Sequence, residues 1–228
     1  MGLQVRRRLG VADGITLVNA VVGFVAAVVA FTDPGLAARL LLLAAVADGL
    51  DGIVARKAGN TAVGPLLDSV TDVVSFGATP ALLVYGVFRV EYGGLGAANW
   101  PLLAVGLAVP ALFVVLSVVR TVLYTVHVED GDARPGIPNT LAATILAAGY
   151  LAGVGPAAAI LAATVLLSPL MVAPWPYPGL LARDALALGV VQALAILVPT
   201  RFARVFPRVL LVAAVAYLVL GPRYYWGE

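Results

Sequence analysis

Residues 47–75 read ADGLDGIVARKAGNTAVGPLLDSVTDVVS, a stretch in which four aspartates interrupt a largely apolar chain. Asp48 and Asp51 are three residues apart, and Asp68 and Asp72 are four residues apart. Spacings of three and four bring side chains to the same side of an α-helix. The stretch therefore predicts two helices, each of which presents a pair of carboxylates on one face.

The surrounding composition places these helices in a membrane. Of the 228 residues, 62% are hydrophobic and 11% are charged, whereas a soluble domain has roughly 45–50% apolar and about 25% charged residues. A bilayer core about 30 Å thick is crossed by roughly 20 apolar residues, and the backbone inside it must be helical or form a closed barrel. Continuous apolar runs favour helices, so we expect an all-α integral membrane protein, a polytopic bundle of about eight transmembrane helices. The predicted spans are 15–31, 37–56, 66–88, 101–126, 138–153, 156–173, 181–199 and 206–221.

Charge placement predicts the orientation of the bundle. Arg6, Arg7 and Arg8 precede the first apolar run, which is longer than the 7–15-residue core of a signal peptide and therefore favours an uncleaved anchor. The positive-inside rule then places the N-terminus in the cytoplasm of a multi-pass cell-membrane protein, although Arg201, Arg204 and Arg208 fall on the outer side.

The formal net charge is only +2, which argues against a nucleic-acid partner. Because the chain has no cysteine, disulfides and thiolate metal sites are excluded.

The connection between the two aspartate helices is short. Only residues 57–63 separate Arg56 from Gly64, so we expect the helices to return antiparallel and the four carboxylates to face one another. Bare carboxylates converging at low dielectric repel each other or bind protons, and divalent cations resolve that repulsion. Oxygen ligands suit Mg²⁺ or Mn²⁺. We therefore expect two such ions near the cytoplasmic end of the bundle.

Magnesium usually completes its coordination with substrate phosphates, which predicts a phosphate-bearing substrate. Gly52, Ala55 and Gly64 leave a surface almost free of side chains for a headgroup to approach. Arg56 and Lys57 supply cationic donors for a pyrophosphate. Phosphoryl transfer is the favoured interpretation. Two alternatives remain: the aspartates relay protons or sodium in a cation-coupled transporter, or they form structural ion pairs with basic residues of the bundle.

These residues resemble the signature of the CDP-alcohol phosphatidyltransferase family. That signature reads D-x2-D-G-x2-A-R, a spacer of about eight residues, and G-x3-D-x3-D; the spacer here has seven residues. The segment DSVTDVVSFGATPA, residues 68–81, is similar to the serine-using branch, and Val73 stands where glycerol-phosphate-using relatives usually have lysine. Further similarity to that branch lies in residues 16–24, 136–138 and 170–177.

The resemblance implies transfer of a phosphatidyl or archaetidyl group from a CDP-activated lipid to the hydroxyl of L-serine, with release of CMP. Inositol phosphate or glycerol phosphate is the alternative acceptor. The implied metal ligands are Asp48, Asp51, Asp68 and Asp72, with Asp72 also the general base. The implied nucleotide-site residues are Gly52, Ala55 and Arg56, and the further candidates are Asn19, Thr61 and Gly64.

The resemblance also divides the chain. Residues 1–178 would form a six-helix catalytic core, and residues 179–228 would add two helices and a short tail.

Arg120 lies deep in the fourth predicted span, where it either partners an aspartate or binds an anion such as the serine carboxylate. Glycine- and alanine-rich spans permit close helix packing and hence a homodimer.

Overall fold

Helices make up nearly all of the computed structural model, which describes residues 9–59, 61–94, 96, 100–127, 134–179 and 182–225. The helices are α1 (Val11–Val29), α2 (Pro34–Ala58), α3 (Gly64–Asp72), the π-helix π1 (Val73–Ala78), α4 (Thr79–Tyr92), α5 (Trp100–His127), α6 (Asn139–Ala152), α7 (Ala157–Leu170), α8 (Ala182–Leu197) and α9 (Val205–Tyr224). A 3₁₀ turn covers Phe202–Arg204, and two short strands, β1 (Arg134–Pro135) and β2 (Pro176–Tyr177), pair antiparallel. The prediction of an all-α protein is confirmed.

Each predicted span falls on helical structure. The third span, 66–88, covers α3, π1 and α4, which follow one another without a break. Among the residues that the structure describes, four stretches are long and apolar enough to cross a membrane: Val11–Val29, Gly64–Tyr92, Trp100–Thr125 and Phe202–Tyr224. Helices α6 and α7 are apolar but shorter. The protein is therefore a helical membrane protein, and the count of eight crossings stays a prediction. Arg6, Arg7 and Arg8, on which the predicted orientation depends, lie outside the described residues.

Local sequence explains where the aspartate helix α2 begins and ends. The Asp33 side chain accepts a hydrogen bond from the Leu36 amide at 2.9 Å, and Pro34 occupies the first turn, where a missing N–H costs nothing. The helix ends at Gly59, whose φ of +89° is accessible to glycine and strained for other residues. The chain can therefore turn sharply after α2, which carries the first aspartate pair, and continue into α3, which carries the second.

The π-helix π1 was not predicted from the sequence. It follows Asp72 directly and places Ser75 so close to α1 that any side chain on Gly23 would collide with it. The Thr79 hydroxyl lies 3.0 Å from the Gly23 carbonyl oxygen and 2.9 Å from that of Val74, so it can donate a hydrogen bond to either group. π-Helical turns are frequent at functional sites because they change the rotational register of a helix.

Arginines occupy the end of the bundle that lies away from the aspartates. There, helix C-termini leave carbonyl groups without intrahelical donors, and arginine is well suited to bind them. The donor and acceptor pairs are Arg39 with Ile196 (2.6 Å), Arg89 with Phe31 (3.1 Å), Arg204 with Leu151 (3.5 Å) and Arg208 with Ala152 (3.4 Å). Arg204 and Arg208, which disagreed with the positive-inside rule, thus bind the end of α6.

The last two helices pack against the predicted catalytic core. Gln192 on α8 donates to the Leu42 carbonyl of α2 at 2.7 Å, and the Tyr177 hydroxyl donates to the Leu218 carbonyl of α9 at 3.0 Å. Helix α9 also packs along α6. The division of the chain at residue 178 stays a prediction, and the contacts show that both parts share one bundle.

Candidate active site

Three of the four predicted aspartates converge. Asp48 lies on α2, and Asp68 and Asp72 lie on α3; one carboxylate oxygen from each lies within 4.8 Å of the other two. The Asp48 and Asp72 carboxyl groups are also within hydrogen-bonding range of each other. The antiparallel return of α3 after the short connection produces this convergence, as the sequence predicted.

Asp51, the fourth predicted ligand, faces α1. The Thr16 hydroxyl donates to Asp51 Oδ2 at 2.7 Å, and both side chains are buried. Asp51 still lies close enough to Asp48 to interact with it electrostatically. The α1–α2 contact thus fixes one oxygen of Asp51, and a role for this residue in metal binding stays a prediction.

The three-aspartate cluster fits a divalent cation. Within the described residues, Asp72 Oδ1 is buried and has no hydrogen-bond partner. A buried carboxylate oxygen without a donor is costly unless a cation or proton neutralises it. Three carboxylates at this separation supply the hard oxygen ligands that Mg²⁺ and Mn²⁺ prefer. The donor set therefore suits a metal ion.

The predicted nucleotide-site residues surround the end of α2. Arg56 and Lys57 are exposed, whereas Gly52 and Ala55 are partly buried. A Cβ atom added to Gly52 would lie 3.5 Å from Arg56 Nη1, so the guanidinium lies against the bare backbone one turn before it. The role of these residues in nucleotide binding stays a prediction.

Thr61 and Gly64, also predicted at the nucleotide site, make contacts within the protein. The Thr61 hydroxyl donates to Asp13 Oδ2 at 2.9 Å and accepts a hydrogen bond from the Gly64 amide at 2.9 Å. The Asp13 side chain is buried and also accepts from the Gly10 amide at 2.7 Å. The connection between the aspartate helices is thereby tied to the start of α1.

Asn19 is fully buried on α1, one turn beyond Thr16. In the part of the chain that the structure describes, neither Oδ1 nor Nδ2 of this side chain has a hydrogen-bond partner. A buried primary amide can form several hydrogen bonds, and leaving them unmade is costly. The side chain therefore retains its capacity to bind a polar ligand, and the predicted nucleotide contact stays a prediction.

Two residues that sequence reasoning missed also reach the site. Asp13 lies three residues before Thr16 on the same side of α1. That spacing was the sequence signal that could have identified it as a site residue. Thr140 lies in the first turn of α6, and its hydroxyl is 3.4 Å from Asp48 Oδ2. Thr140 lies two residues after Pro138, so the sequence indicated only that it stands near the start of a helix, and no local pattern pointed to Asp48.

Arg120 on α5 was predicted to partner an aspartate or to bind an anion. Its side chain is buried and interacts electrostatically with the Asp72 carboxylate. The guanidinium carbon also lies 5.2 Å from the centre of the Tyr124 ring, within range of a cation–π interaction. Helix α5 therefore brings a positive charge to the edge of the aspartate cluster.

Comparisons with known proteins agree with this geometry. The family model described as CDP-alcohol phosphatidyltransferase matches residues 9–220 and so includes the last two helices. The chain is 28% identical to the archaetidylserine synthase of Methanothermobacter thermautotrophicus over 174 residues, which cover 75% of this chain and 70% of the relative.

Shorter matches occur with proteins named CDP-diacylglycerol–serine O-phosphatidyltransferase. The protein from Methanocaldococcus jannaschii is 38% identical over 88 residues, 38% of this chain and 40% of that relative. The protein from Helicobacter pylori is 32% identical over 114 residues, 49% of this chain and 44% of that relative. Since the family model covers most of the sequence and three aspartates of the signature converge, this chain belongs to the CDP-alcohol phosphatidyltransferase family.

Proposed function

We propose that this enzyme transfers a phosphatidyl or archaetidyl group from a CDP-activated lipid to the hydroxyl of L-serine, and releases CMP at the cytoplasmic face of the membrane. The observation that carries the proposal is the convergence of Asp48, Asp68 and Asp72 within 4.8 Å. The names of the relatives support serine as the acceptor. The likeness of residues 68–81 to the serine-using branch supports the same choice.

The pyrophosphate of the CDP-lipid would lie between the aspartates and the basic end of α2. Arg56 and Lys57 would donate to its oxygens, and Gly52 would let it approach the backbone. Two ions, Mg²⁺ or Mn²⁺, would be held by Asp48, Asp51, Asp68 and Asp72. When bound, such ions neutralise negative charge on the pyrophosphate and on the departing CMP.

Asp72 is the proposed general base. In the reaction, the serine oxygen forms a bond to the phosphorus that carries the lipid, and the bond from that phosphorus to the CMP oxygen breaks. The hydroxyl proton passes to Asp72, whose buried Oδ1 has no donor within the described residues. A positioned base contributes typically 10²- to 10⁴-fold to the rate of such a proton transfer.

Arg120 is the proposed anion site for the acceptor. A serine carboxylate bound to this guanidinium would stand close to Asp72, because the two side chains already interact electrostatically. Arginine binds carboxylates through two parallel hydrogen bonds, which fixes the orientation of the amino acid as well as its position. The hydroxyl could then be presented to the base.

The test measures CMP release by the purified chain in liposomes with Mn²⁺ and a CDP-lipid. We expect release when L-serine is added, with little release for inositol phosphate or glycerol phosphate. Parallel reactions with ester-linked and ether-linked CDP-lipids identify the preferred tails. Release that depends on glycerol phosphate would assign another acceptor. Cation uptake that depends on Asp72, without CMP, would refute the transferase and indicate a transporter.

A further inference from the structure

Helix α1 contacts both arms of the aspartate hairpin. Thr16 holds Asp51 on the α2 arm at 2.7 Å. Asp13, one turn earlier, holds Thr61 at 2.9 Å, and Thr61 in turn accepts from the amide of Gly64, the first residue of α3. One face of α1 thus contacts both the first aspartate pair, on α2, and the beginning of α3, which carries the second aspartate pair.

The second of these contacts is tightly packed. A Cβ atom on Gly64 would lie 3.0 Å from Asp13 Oδ1 and 3.2 Å from Thr61 Oγ1. A Cβ atom on Gly10 would lie 3.1 Å from the Thr61 methyl group. These distances show that the Asp13 carboxylate and the Thr61 side chain pack closely against the backbone at the start of α3.

The position of that first turn matters for the cluster. Asp68 lies four residues after Gly64, and Asp72 lies four residues after Asp68, so all three lie on one side of α3. A shift or rotation of the first turn would move both carboxylates relative to Asp48. Groups that orient metal-binding residues commonly change metal affinity or activity by about 10- to 100-fold when they are removed.

We propose that Asp13 is a positioning residue that acts through Thr61: it sets the start of α3 and thereby the separation between Asp48 and the α3 aspartates. The inference rests on the metal site of the proposed function and adds to it a residue outside the aspartate signature. Asp13 acts as a hydrogen-bond acceptor, because Oδ2 receives both the Gly10 amide and the Thr61 hydroxyl.

The test measures Mn²⁺ binding to the purified full-length protein without substrate, by titration calorimetry or by the electron paramagnetic resonance signal of free Mn²⁺. We expect Asp13→Ala and Thr61→Val to weaken binding by about 10- to 100-fold. Asp13→Asn keeps an acceptor oxygen and Thr61→Ser keeps the hydroxyl, so both should bind within about threefold of the parent protein. The double variant Asp13→Ala/Thr61→Val should lose less affinity than the sum of the two single losses, because both substitutions remove the shared Asp13–Thr61 hydrogen bond.

A matched control separates positioning from general stability. Asp33 also accepts a backbone amide hydrogen bond at a helix start, at the other end of α2. Asp33→Ala should lower the melting temperature and leave Mn²⁺ affinity unchanged. Parental Mn²⁺ affinity in Thr61→Val would overturn the inference, even if Asp13→Ala failed to fold. An Asp13→Asn variant as weak as Asp13→Ala would also overturn it, because the charge would then be the essential property.

The same experiment distinguishes failure of the proposed metal site. Asp68→Asn should abolish tight Mn²⁺ binding. If the parent protein and Asp68→Asn bind Mn²⁺ equally, the metal site of the proposed function is wrong. If Asp68→Asn loses binding and the Asp13 and Thr61 variants retain it, only the positioning role is refuted.

Discussion

The hydrogen bond from Thr16 to Asp51 offers a quantitative test of how α1 supports the site. Thr16→Val replaces the hydroxyl with a methyl group of similar size, so packing is nearly conserved. Asp51 Oδ2 then loses a donor at 2.7 Å in a place where both side chains are only 5% exposed. A hydrogen bond to a charged group contributes about 1.5–3 kcal/mol.

Since about 1.4 kcal/mol corresponds to a factor of ten, we expect a loss in kcat/KM of about 10- to 100-fold, because without this bond Asp51 relaxes to another orientation in the free enzyme and must be returned to its reactive one in the transition state. Initial rates of CMP release measured against CDP-lipid concentration give this ratio, and Thr16→Ser supplies the matched control because it keeps the hydroxyl. Melting temperatures of both variants show whether folding is affected. The reasoning fails if Thr16→Val and Thr16→Ser have kcat/KM values within twofold of each other.

Three further changes test other parts of the structure. Asp72→Asn removes the proposed base and should lower kcat by at least about 100-fold. Single-turnover CMP release measures this loss, and a smaller loss would show that another group accepts the proton. Gly86→Ala would force a Cβ atom into the carbonyl oxygen of Ala30, so we expect about 1–3 kcal/mol of destabilisation in a denaturation curve; parental stability would contradict the close helix approach. Arg39→Met removes the donor to the Ile196 carbonyl and should lower the melting temperature while KM for the CDP-lipid stays constant; a raised KM would link this distant end to the site.

The paired aspartates show how far sequence reasoning reached. Spacing predicted two carboxylate-bearing helices and their antiparallel return, and three of the four side chains converge as expected. At about 100° per residue, side chains three apart diverge by about 60° around a helix, whereas those four apart diverge by about 40°. Asp48 and Asp51 can therefore face different neighbours, and only the position of α1 determines that Asp51 meets Thr16.

Other features depended on contacts between distant parts of the chain. Asp13 and Thr61 are 48 residues apart, and no local pattern connects them. The arginines at the far end were unexpected because their acceptors are carbonyl groups of other helices, which are identical in every sequence. The segment from Asp68 to Ala81 contains no motif that distinguishes a π-helical turn from an α-helical one, so π1 left no local signal either. Composition thus predicted that the helices exist, but it did not predict which helices contact each other.

The π-helix makes the site sensitive to chain length. Because π1 follows directly after the last aspartate, removing a single residue from Val73–Ala78 would turn everything before it by about 100° relative to α4. Helix α4 is held by its own packing, so the rotation would fall on α3, and its carboxylates would swing away from α2. Substitutions along this stretch can be absorbed individually, whereas a one-residue deletion would disassemble the reaction centre while leaving the outer bundle intact.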